Sequence, residues 1–365
     1  MTRLDQLRQM LATTKRVRAT ASMLSLLLLP AGGAQAGEEG TRVYENRLTR
    51  IANPRPLLAD YPQFVEPIRE TERFEAPVLV DDPQADLEVR AWRFSYNARG
   101  IIEVPNRLRA DRTAVIVVHP WGIDDGQGWN TPEPAGVAFQ CTPAKNRMVL
   151  EHGGQVIDPL LKRLRPKVAV VAFSLPGNED PIRKKIYRSF RAEPTKADRE
   201  RGQAELAAKL KSFSYKGHVL PASVAVSAET PTIGYFKQFP GLDAGPSYDA
   251  PGFWQLPIPV MKTIDVAPKD VAIYDAEGYP ALRDFLKKQG VRHVLLTGYN
   301  TDMCVCSTTA GYKNLAPDFD VFLVGDATIA TFPAHPTPRF STTTAVSFAA
   351  LNLFITQASW IRPTP

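Results

Sequence analysis

Four apolar runs recur along the chain from residue 113 onward, and each is rich in β-branched residues. Such runs are typical of strands buried on both faces of a parallel sheet. They read TAVIVVH (113–119), VAVVAF (168–173), HVLLTG (293–298) and VFLVGD (321–326). Helix-like stretches lie between and after them, namely IDPLLKRL, ALRDFLKKQG, a segment from Met303 to Leu315, and TTTAVSFAALNLFITQ near the end. This alternation predicts an α/β fold, a three-layer α-β-α sandwich with a mainly parallel sheet.

Before the first buried run the pattern changes to an alternation of apolar and polar residues. FEAPVLVDD and DLEVRAWRFSYN alternate in this way, and IIEVP follows after a turn. Alternation of this kind predicts half-buried strands, so residues 37–110 are expected to form a small β-rich appendage on the domain of residues 111–365. Within that domain, residues 177–262 carry one helical stretch among many Pro, Gly and Ser residues. We interpret them as an insertion folded over one edge of the sheet, in the position of a lid.

The first 36 residues have the pattern of an export signal. A basic KRVR precedes the apolar run MLSLLLLPAGGA, and Ala34-Gln35-Ala36 resembles a cleavage site. The apolar run is short for a bilayer span, although an uncleaved anchor or a buried helix is the alternative. We therefore expect a signal peptide over residues 1–36, a periplasmic or secreted protein, and no stable membrane span after cleavage.

Net charge does not indicate a nucleic-acid partner. The formal charge of the chain is +6, but residues 1–36 hold five basic side chains against Asp5 alone, a net of +4 that leaves only +2 for the rest. A nearly neutral body does not attract polyanions over long range. We expect no binding to nucleic acid and a small-molecule substrate as the partner.

Cys304 has the surroundings of a nucleophile. A buried strand ends at Thr297-Gly298, a tight loop follows, and the helix predicted from Met303 carries the cysteine. The field at a helix N-terminus favours a thiolate, and the free N–H groups there can form an oxyanion hole. A buried structural cysteine is the alternative. Cys306 would point to another helix face and is expected in the core, while Cys141 lies in a loop and either lines the pocket or forms a disulfide.

The stretch from Gly298 to Val305 resembles the G-x-x-T-D-x-C-V signature of the isochorismatase-like cysteine hydrolases. That family includes nicotinamidases, N-carbamoylsarcosine amidohydrolases and isochorismatases, and the resemblance extends roughly over residues 112–357, with Asp326-Ala327 matching a strand end. It implies that Cys304 is the nucleophile and that the N–H groups of Asn300 and Cys304 form the oxyanion hole. It also implies a cis peptide bond before Asn300 and a homo-oligomer, at least a dimer.

Two of the three catalytic positions of that family differ here. His119 stands where the family has an aspartate base, and the lysine position falls on Tyr274 or Asp275. Imidazole titrates near neutrality and can form a Cys–His pair, with Asp124, Asp125 or Asp275 orienting it. A hydrogen-bonded histidine capping the strand is the alternative. The five histidines are scattered without ligand spacing, so we expect no catalytic metal and no cofactor.

A second set of residues is predicted to surround the mouth of the pocket. The motif HPWGIDDGQGW and the loop before the cysteine supply the candidate substrate-binding residues Trp121, Asp124, Asp125, Trp129, Tyr299 and Thr301. For the two aspartates, an Asx turn before Gly126 is the alternative.

Together these patterns predict an exported hydrolase that uses Cys304 on an amide or a similar C–N bond of a small molecule. The alternative is a catalytically altered protein of the same fold that binds a ligand or partner without turnover. A vinyl-ether hydrolase of the isochorismatase type is a third reading. An enzyme requires His119 near the Cys304 sulfur below an open cavity, whereas a binding protein allows a buried sulfur or a histidine turned away.

Overall fold

The computed structural model describes residues 42–95, 97, 99–127, 143–212, 227–229, 256–330, 337–338 and 357–364. Residues Tyr44–Pro365 form one compact unit. The predicted signal peptide, Trp129, Cys141, much of the insertion and most of the C-terminal helical stretch lie outside the described residues. Within the described part of the chain, no helix is long and apolar enough to span a membrane.

The strands alternate with helices in the order that the apolar runs predict. The strands are β1 Thr49–Arg50, β2 Arg73–Glu75, β3 Leu87–Ser95, β4 Gly100–Leu108, β5 Thr113–Val118, β6 Val170–Leu175, β7 Val271–Tyr274, β8 His293–Tyr299, β9 Asp320–Ile329 and β10 Gln357–Pro363. The helices are α1 Pro143–His152, α2 Asp158–Leu164, α3 Arg183–Ile186, α4 Lys196–Lys211, α5 Gly278–Lys288, α6 Cys304–Ser307 and α7 Tyr312–Leu315. A π-helical turn, Gly153–Ile157, joins α1 to α2.

One sheet contains all of these strands, in the order β1-β2-β4-β3-β10-β9-β8-β5-β6-β7. The strands from β10 to β7 are parallel to one another. Alternate residues of β5 enter two separate cores: Val115 and Val117 pack with α2 and α4, whereas Ile116 and Val118 pack with α5. The predicted three-layer α/β fold is therefore confirmed, and burial of both strand faces explains why the runs are continuously apolar.

The N-terminal strands extend the same sheet. β3 pairs antiparallel with β10, so β1–β4 continue the sheet at that edge. The strand predicted for FEAPVLVDD is wrong in its length, because only Arg73–Glu75 forms a strand there. Pro77 follows almost at once, and a proline has no N–H to donate to a ladder.

The helix predicted from Met303 to Leu315 is also wrong, because two one-turn helices, α6 and α7, occupy this segment. Thr308 between them has an extended backbone, and its hydroxyl donates to the Cys304 carbonyl at 2.8 Å. Threonine hydroxyls compete in this way with the regular helical pattern. A single turn aligns few peptide dipoles, so the helix field that we expected at Cys304 has little basis.

The topology places three strand ends at one edge of the sheet. β5, β7 and β8 are parallel members of it, and their carboxyl ends are followed by His119, Asp275 and Asn300. In open parallel sheets this is the edge where ligands bind. The strands β7 and β10 were not predicted, yet β7 is the strand that delivers Asp275.

Candidate active site

His119 is the first residue after β5, and it is buried. Its backbone turns into a left-handed conformation with φ of 45°, and its N–H donates to the Ser174 carbonyl at 3.0 Å. The ring nitrogen Nε2 lies 2.9 Å from Oδ2 of Asp275. The open choice among three aspartates is thus resolved, because Asp275 is the one that is hydrogen bonded to the imidazole.

Asp275 is itself held from two sides. Its Oδ1 accepts a hydrogen bond of 3.4 Å from the hydroxyl of Ser174, which lies buried on β6. Its backbone carbonyl accepts a hydrogen bond of 2.8 Å from the hydroxyl of Thr309, which lies in the break between α6 and α7. The same break that ends the cysteine helix therefore positions the carboxylate that orients His119.

Cys304 is the first residue of α6 and is half-buried. Its N–H precedes the intrahelical hydrogen bonds, as do all N–H groups in the first turn of a helix. The Asn300 carbonyl accepts from the N–H groups of Met303 and Val305, at 3.0 and 3.2 Å, which folds the loop back on itself. The peptide bond between Tyr299 and Asn300 is cis, as the resemblance implied.

A glycine in the motif has a packing reason. Gly298 has φ of 102°, and a Cβ atom there would lie 2.1 Å from the Val118 carbonyl oxygen. Only glycine lets β8 approach β5 this closely at the point where both strands end. The close approach brings the cysteine loop beside His119.

The charge state of His119 follows from its neighbours. Burial disfavours the imidazolium, but hydrogen bonding and charge from Asp275 and Cys304 outweigh burial and raise the pKa of His119 to about 9. Its Nδ1 is buried and has no close hydrogen-bond partner. At neutral pH the site therefore holds an imidazolium between a carboxylate and a sulfur.

Trp121 packs against His119. Its ring stacks on that of His119, with centroids 4.9 Å apart and planes 26° from parallel. The same segment is bound to the end of the insertion, because the Gly122 N–H donates to the Pro259 carbonyl and the Met261 N–H to that of Pro120. The end of the insertion thus lies against the loop that carries His119.

Of the two aspartates predicted at the pocket mouth, Asp125 has a structural role. The Asp125 carboxylate accepts from the N–H and side-chain amide of Gln127 and from the N–H of Lys262, at 2.7 to 3.1 Å. This is the turn that we gave as the alternative. Asp124 lies beside it at φ of 52°.

Three other predicted site residues, Tyr274, Tyr299 and Thr301, are buried and make their contacts elsewhere. The Tyr274 ring lies buried under the Arg183 guanidinium, 4.9 Å from the ring centroid, and burial raises its pKa. Tyr299 is buried with its hydroxyl 2.7 Å from Nδ1 of His152. Thr301 is 1% exposed. Of the two candidates for the family lysine position, Asp275 therefore contacts His119 and Tyr274 does not. Tyr299 and Thr301 are buried, which argues against their predicted contact with a substrate.

Several residues near the site were missed from the sequence: Ser174, Thr309, His152 and Lys145. Ser174 and Thr309 hydrogen bond to Asp275. The only sequence signal for Ser174 is that it is a polar residue at the end of an apolar strand. His152 is fully buried on α1, where a histidine has no local signal. Lys145 is also fully buried on α1, and its charge acts on His152.

Cys306 lies in the core margin, as predicted. Its sulfur donates to the Thr301 carbonyl at 2.8 Å, and burial raises its pKa to about 11. It is therefore a protonated thiol at neutral pH. Cys304 and Cys306 are both free within the described residues.

A cavity of about 500 Å³ lies away from this cluster. Tyr187, Arg199 and Lys262 are among the residues that line it, whereas His119 and Cys304 are not. The titratable groups His119, Asp275 and Cys304 meet at the cysteine rather than at this cavity. No group of three or more potential metal ligands occurs in the described part of the chain.

Fold and site together give an α/β protein with a thiol, an imidazole and a carboxylate at the carboxyl edge of a parallel sheet. A sequence model of the isochorismatase domain matches residues 260–350. This part of the chain is similar to that domain, in agreement with the resemblance carried by the cysteine motif. The match includes Asp275 and Cys304 but begins after His119.

One similar solved structure is a cysteine hydrolase from Pseudomonas syringae pv. phaseolicola 1448A. It is 14% identical, with 69% of this chain and 91% of that chain covered, at a TM-score of 0.33. No curated protein matches the chain.

Proposed function

We propose that this protein is a hydrolase in which Cys304 attacks the carbonyl carbon of a small-molecule amide or a related C–N bond. The observation that carries the proposal is the 2.9 Å hydrogen bond between His119 and Asp275, with Cys304 acting on the same imidazole. Where the resemblance implies an aspartate and a lysine, this chain has a histidine and an aspartate. Each set contains one cationic and one anionic side chain, but in this chain the cationic one, His119, is at the aspartate position and the anionic one, Asp275, is at the lysine position.

The first half of the reaction forms a thioester. In the resting site His119 already holds the proton of the Cys304 thiol, so the sulfur attacks the carbonyl carbon as a thiolate. The negative charge that develops on the oxygen is stabilised by the N–H groups of Asn300 and Cys304. As the C–N bond breaks, the imidazolium returns its proton to the leaving nitrogen, and an amine or ammonia departs.

The second half regenerates the thiol. Acylation turns the sulfur into a neutral thioester, which removes one of the two neighbours that raise the pKa of His119. The histidine, which is neutral after giving its proton to the leaving nitrogen, then accepts a proton from the attacking water. The Asp275 carboxylate stays on Nε2 throughout and keeps the ring oriented. The C–S bond then breaks with the thiolate as the leaving group, which releases the carboxylic acid and restores the sulfur–imidazolium pair.

Acylation by p-nitrophenyl acetate tests this proposal without knowledge of the natural substrate. We expect a burst of p-nitrophenolate and an acetyl group on the Cys304 peptide, found by mass spectrometry. Both should disappear in Cys304→Ala, and the acylation rate should fall by at least about tenfold in His119→Ala. Cys306 is the internal control, because its raised pKa should leave it unmodified. Equal modification of Cys304 in the wild type and His119→Ala would contradict the proposal and favour the binding protein.

Substrate class is tested next with a panel of small amides, with ammonia release as the readout. Activity toward amides that is lost in Cys304→Ala would identify the C–N bond as the target. Acylation by the activated ester without turnover of any amide would restrict the proposal to esters or other acyl donors.

Export forms part of the proposal, and it is supported by the basic, apolar and small-residue order of residues 1–36. In a bacterial host, processing after Ala36 and recovery in the periplasmic fraction are expected. Recovery of the full-length chain in the cytoplasm would contradict this part alone.

A further inference from the structure

His152 occupies an unusual place at the end of α1. It is fully buried, and the helix widens into the π-helical turn Gly153–Ile157 directly after it. Its ring is set edge-on between two aromatic rings, 5.3 Å from Phe64 and 5.6 Å from Tyr299. Single π-helical turns inside helices occur often at functional sites, since they redirect a side chain.

Two hydrogen bonds use both ring nitrogens of His152. Nε2 lies 2.7 Å from the backbone carbonyl of Asp326 on β9, and Nδ1 lies 2.7 Å from the Tyr299 hydroxyl. Burial and the charge of Lys145 lower the pKa of His152 to about 4, against the opposing effect of the Asp326 carbonyl. The ring is therefore neutral at physiological pH and carries one proton.

The position of that proton follows from the acceptors. A carbonyl oxygen can only accept, so the proton of His152 is on Nε2, toward Asp326. Nδ1 is then an acceptor, and the Tyr299 hydroxyl donates to it. The Val149 carbonyl lies 3.2 Å from the same hydroxyl. Since a hydroxyl has one proton, the shorter contact to His152 takes it.

We propose that His152 is a positioning residue that holds Tyr299, and through it the N–H group of Asn300, in place to stabilise the oxyanion. This inference rests on the proposed function. Tyr299 is the last residue of β8, and the oxyanion donor is the next residue along the chain. The hydrogen bonds from His152 to Asp326 and Tyr299 thereby connect β9 and α1 to the loop that carries Cys304.

The expected size of the effect comes from the oxyanion contact. Removing one oxyanion donor costs about 100- to 1000-fold in rate, and a displacement of about 1 Å can cost about 100-fold. Tyr299→Phe keeps the ring and removes only the hydroxyl. We expect it to slow acylation of Cys304 by p-nitrophenyl acetate by at least about tenfold.

Alkylation of Cys304 by iodoacetamide separates positioning from general damage. It consumes the same thiolate but forms no oxyanion, so its rate should stay within about twofold of the wild type in Tyr299→Phe. The informative quantity is the ratio of the acylation rate to the alkylation rate. A structural role alone would change both rates together or neither.

Two substitutions at the histidine divide its hydrogen bonds. In His152→Asn the side-chain oxygen can take the place of Nδ1 and accept from Tyr299, whereas His152→Gln can replace only the donor to Asp326. We expect the rate ratio of His152→Asn to stay near that of the wild type and that of His152→Gln to fall as in Tyr299→Phe. Thermal unfolding of each variant shows whether it is folded.

The outcomes separate this inference from the proposed function. A ratio that stays at the wild-type value in Tyr299→Phe, with the protein folded, overturns the positioning role and leaves the nucleophile unaffected. A wild-type protein that p-nitrophenyl acetate does not acylate refutes the proposed function, and the positioning role falls with it.

Discussion

Replacing Asp275 with asparagine isolates the charge that acts on His119. Asp275→Asn keeps the size of the side chain and removes its negative charge, 2.9 Å from Nε2. An opposite charge at this range shifts a pKa by about one to three units. The pKa of His119 is about 9 because Asp275 and Cys304 outweigh burial. We expect it to fall by at least about one unit in the variant, a tenfold change in the protonation equilibrium.

The assay is the pH dependence of iodoacetamide alkylation at Cys304, followed peptide by peptide with mass spectrometry. When His119 loses its proton, the sulfur loses its cationic neighbour and its alkylation rate changes. The wild-type profile should therefore have an inflection near pH 9, and Asp275→Asn should show it at lower pH. His119→Ala should lack this inflection, and Cys306 in the same chain provides a thiol profile independent of the imidazole.

An inflection that stays near pH 9 in Asp275→Asn would refute the reasoning, because the raised pKa of His119 would then not come from Asp275. An inflection that persists in His119→Ala would show that another group titrates there.

Three further predictions follow from the packing. The raised pKa of His119 stabilises the fold fully below pH 6.5 and is lost as the pH rises through about 9, so the stability advantage over His119→Gln should shrink by about 3 kcal/mol across that range in urea unfolding; a constant difference would contradict this. Thr309→Val should lower the free energy of unfolding by about 1 kcal/mol, because it removes the partly buried hydrogen bond to the Asp275 carbonyl. An unchanged free energy of unfolding would show that this bond does not stabilise the fold. Gly298→Ala should cost at least about 3 kcal/mol, because its Cβ would meet the β5 backbone, whereas Gly290→Ala, at a similarly positive φ in open space, should cost about 1 kcal/mol; equal costs would refute the steric reason.

The sequence could predict those parts of the fold that depend on local pattern. Runs such as those of β5 and β8 are long, apolar and β-branched, and they were recognised as buried parallel strands. β7 is four residues long and β10 includes Arg362 and Pro363, so neither has a clear periodic signal. The failure at Met303–Leu315 has a local cause, because threonine hydroxyls there satisfy backbone carbonyls outside a regular helix.

The site was predictable as far as strand ends allow. His119 follows an apolar run, and Cys304 lies in a motif, so both were identified from the chain alone. Which carboxylate meets His119 depends on the order of strands in the sheet, which places the end of β7 near that of β5 across β6. His152 lies 147 positions from Tyr299, and no spacing rule relates two such distant residues.

The position of β10 in the sheet has a consequence for assembly of the fold. In the strand order, β10 alone joins β1–β4 to the other five parallel strands. The strands on its two sides, β3 and β9, are more than 220 residues apart in the chain, and both are made before the strand that bridges them. Until β10 is inserted, the long edges of β3 and β9 both present unpaired backbone groups. Exposed edges of this kind recruit strands from other molecules, so intermediates lacking β10 are the species in which intermolecular association competes with folding.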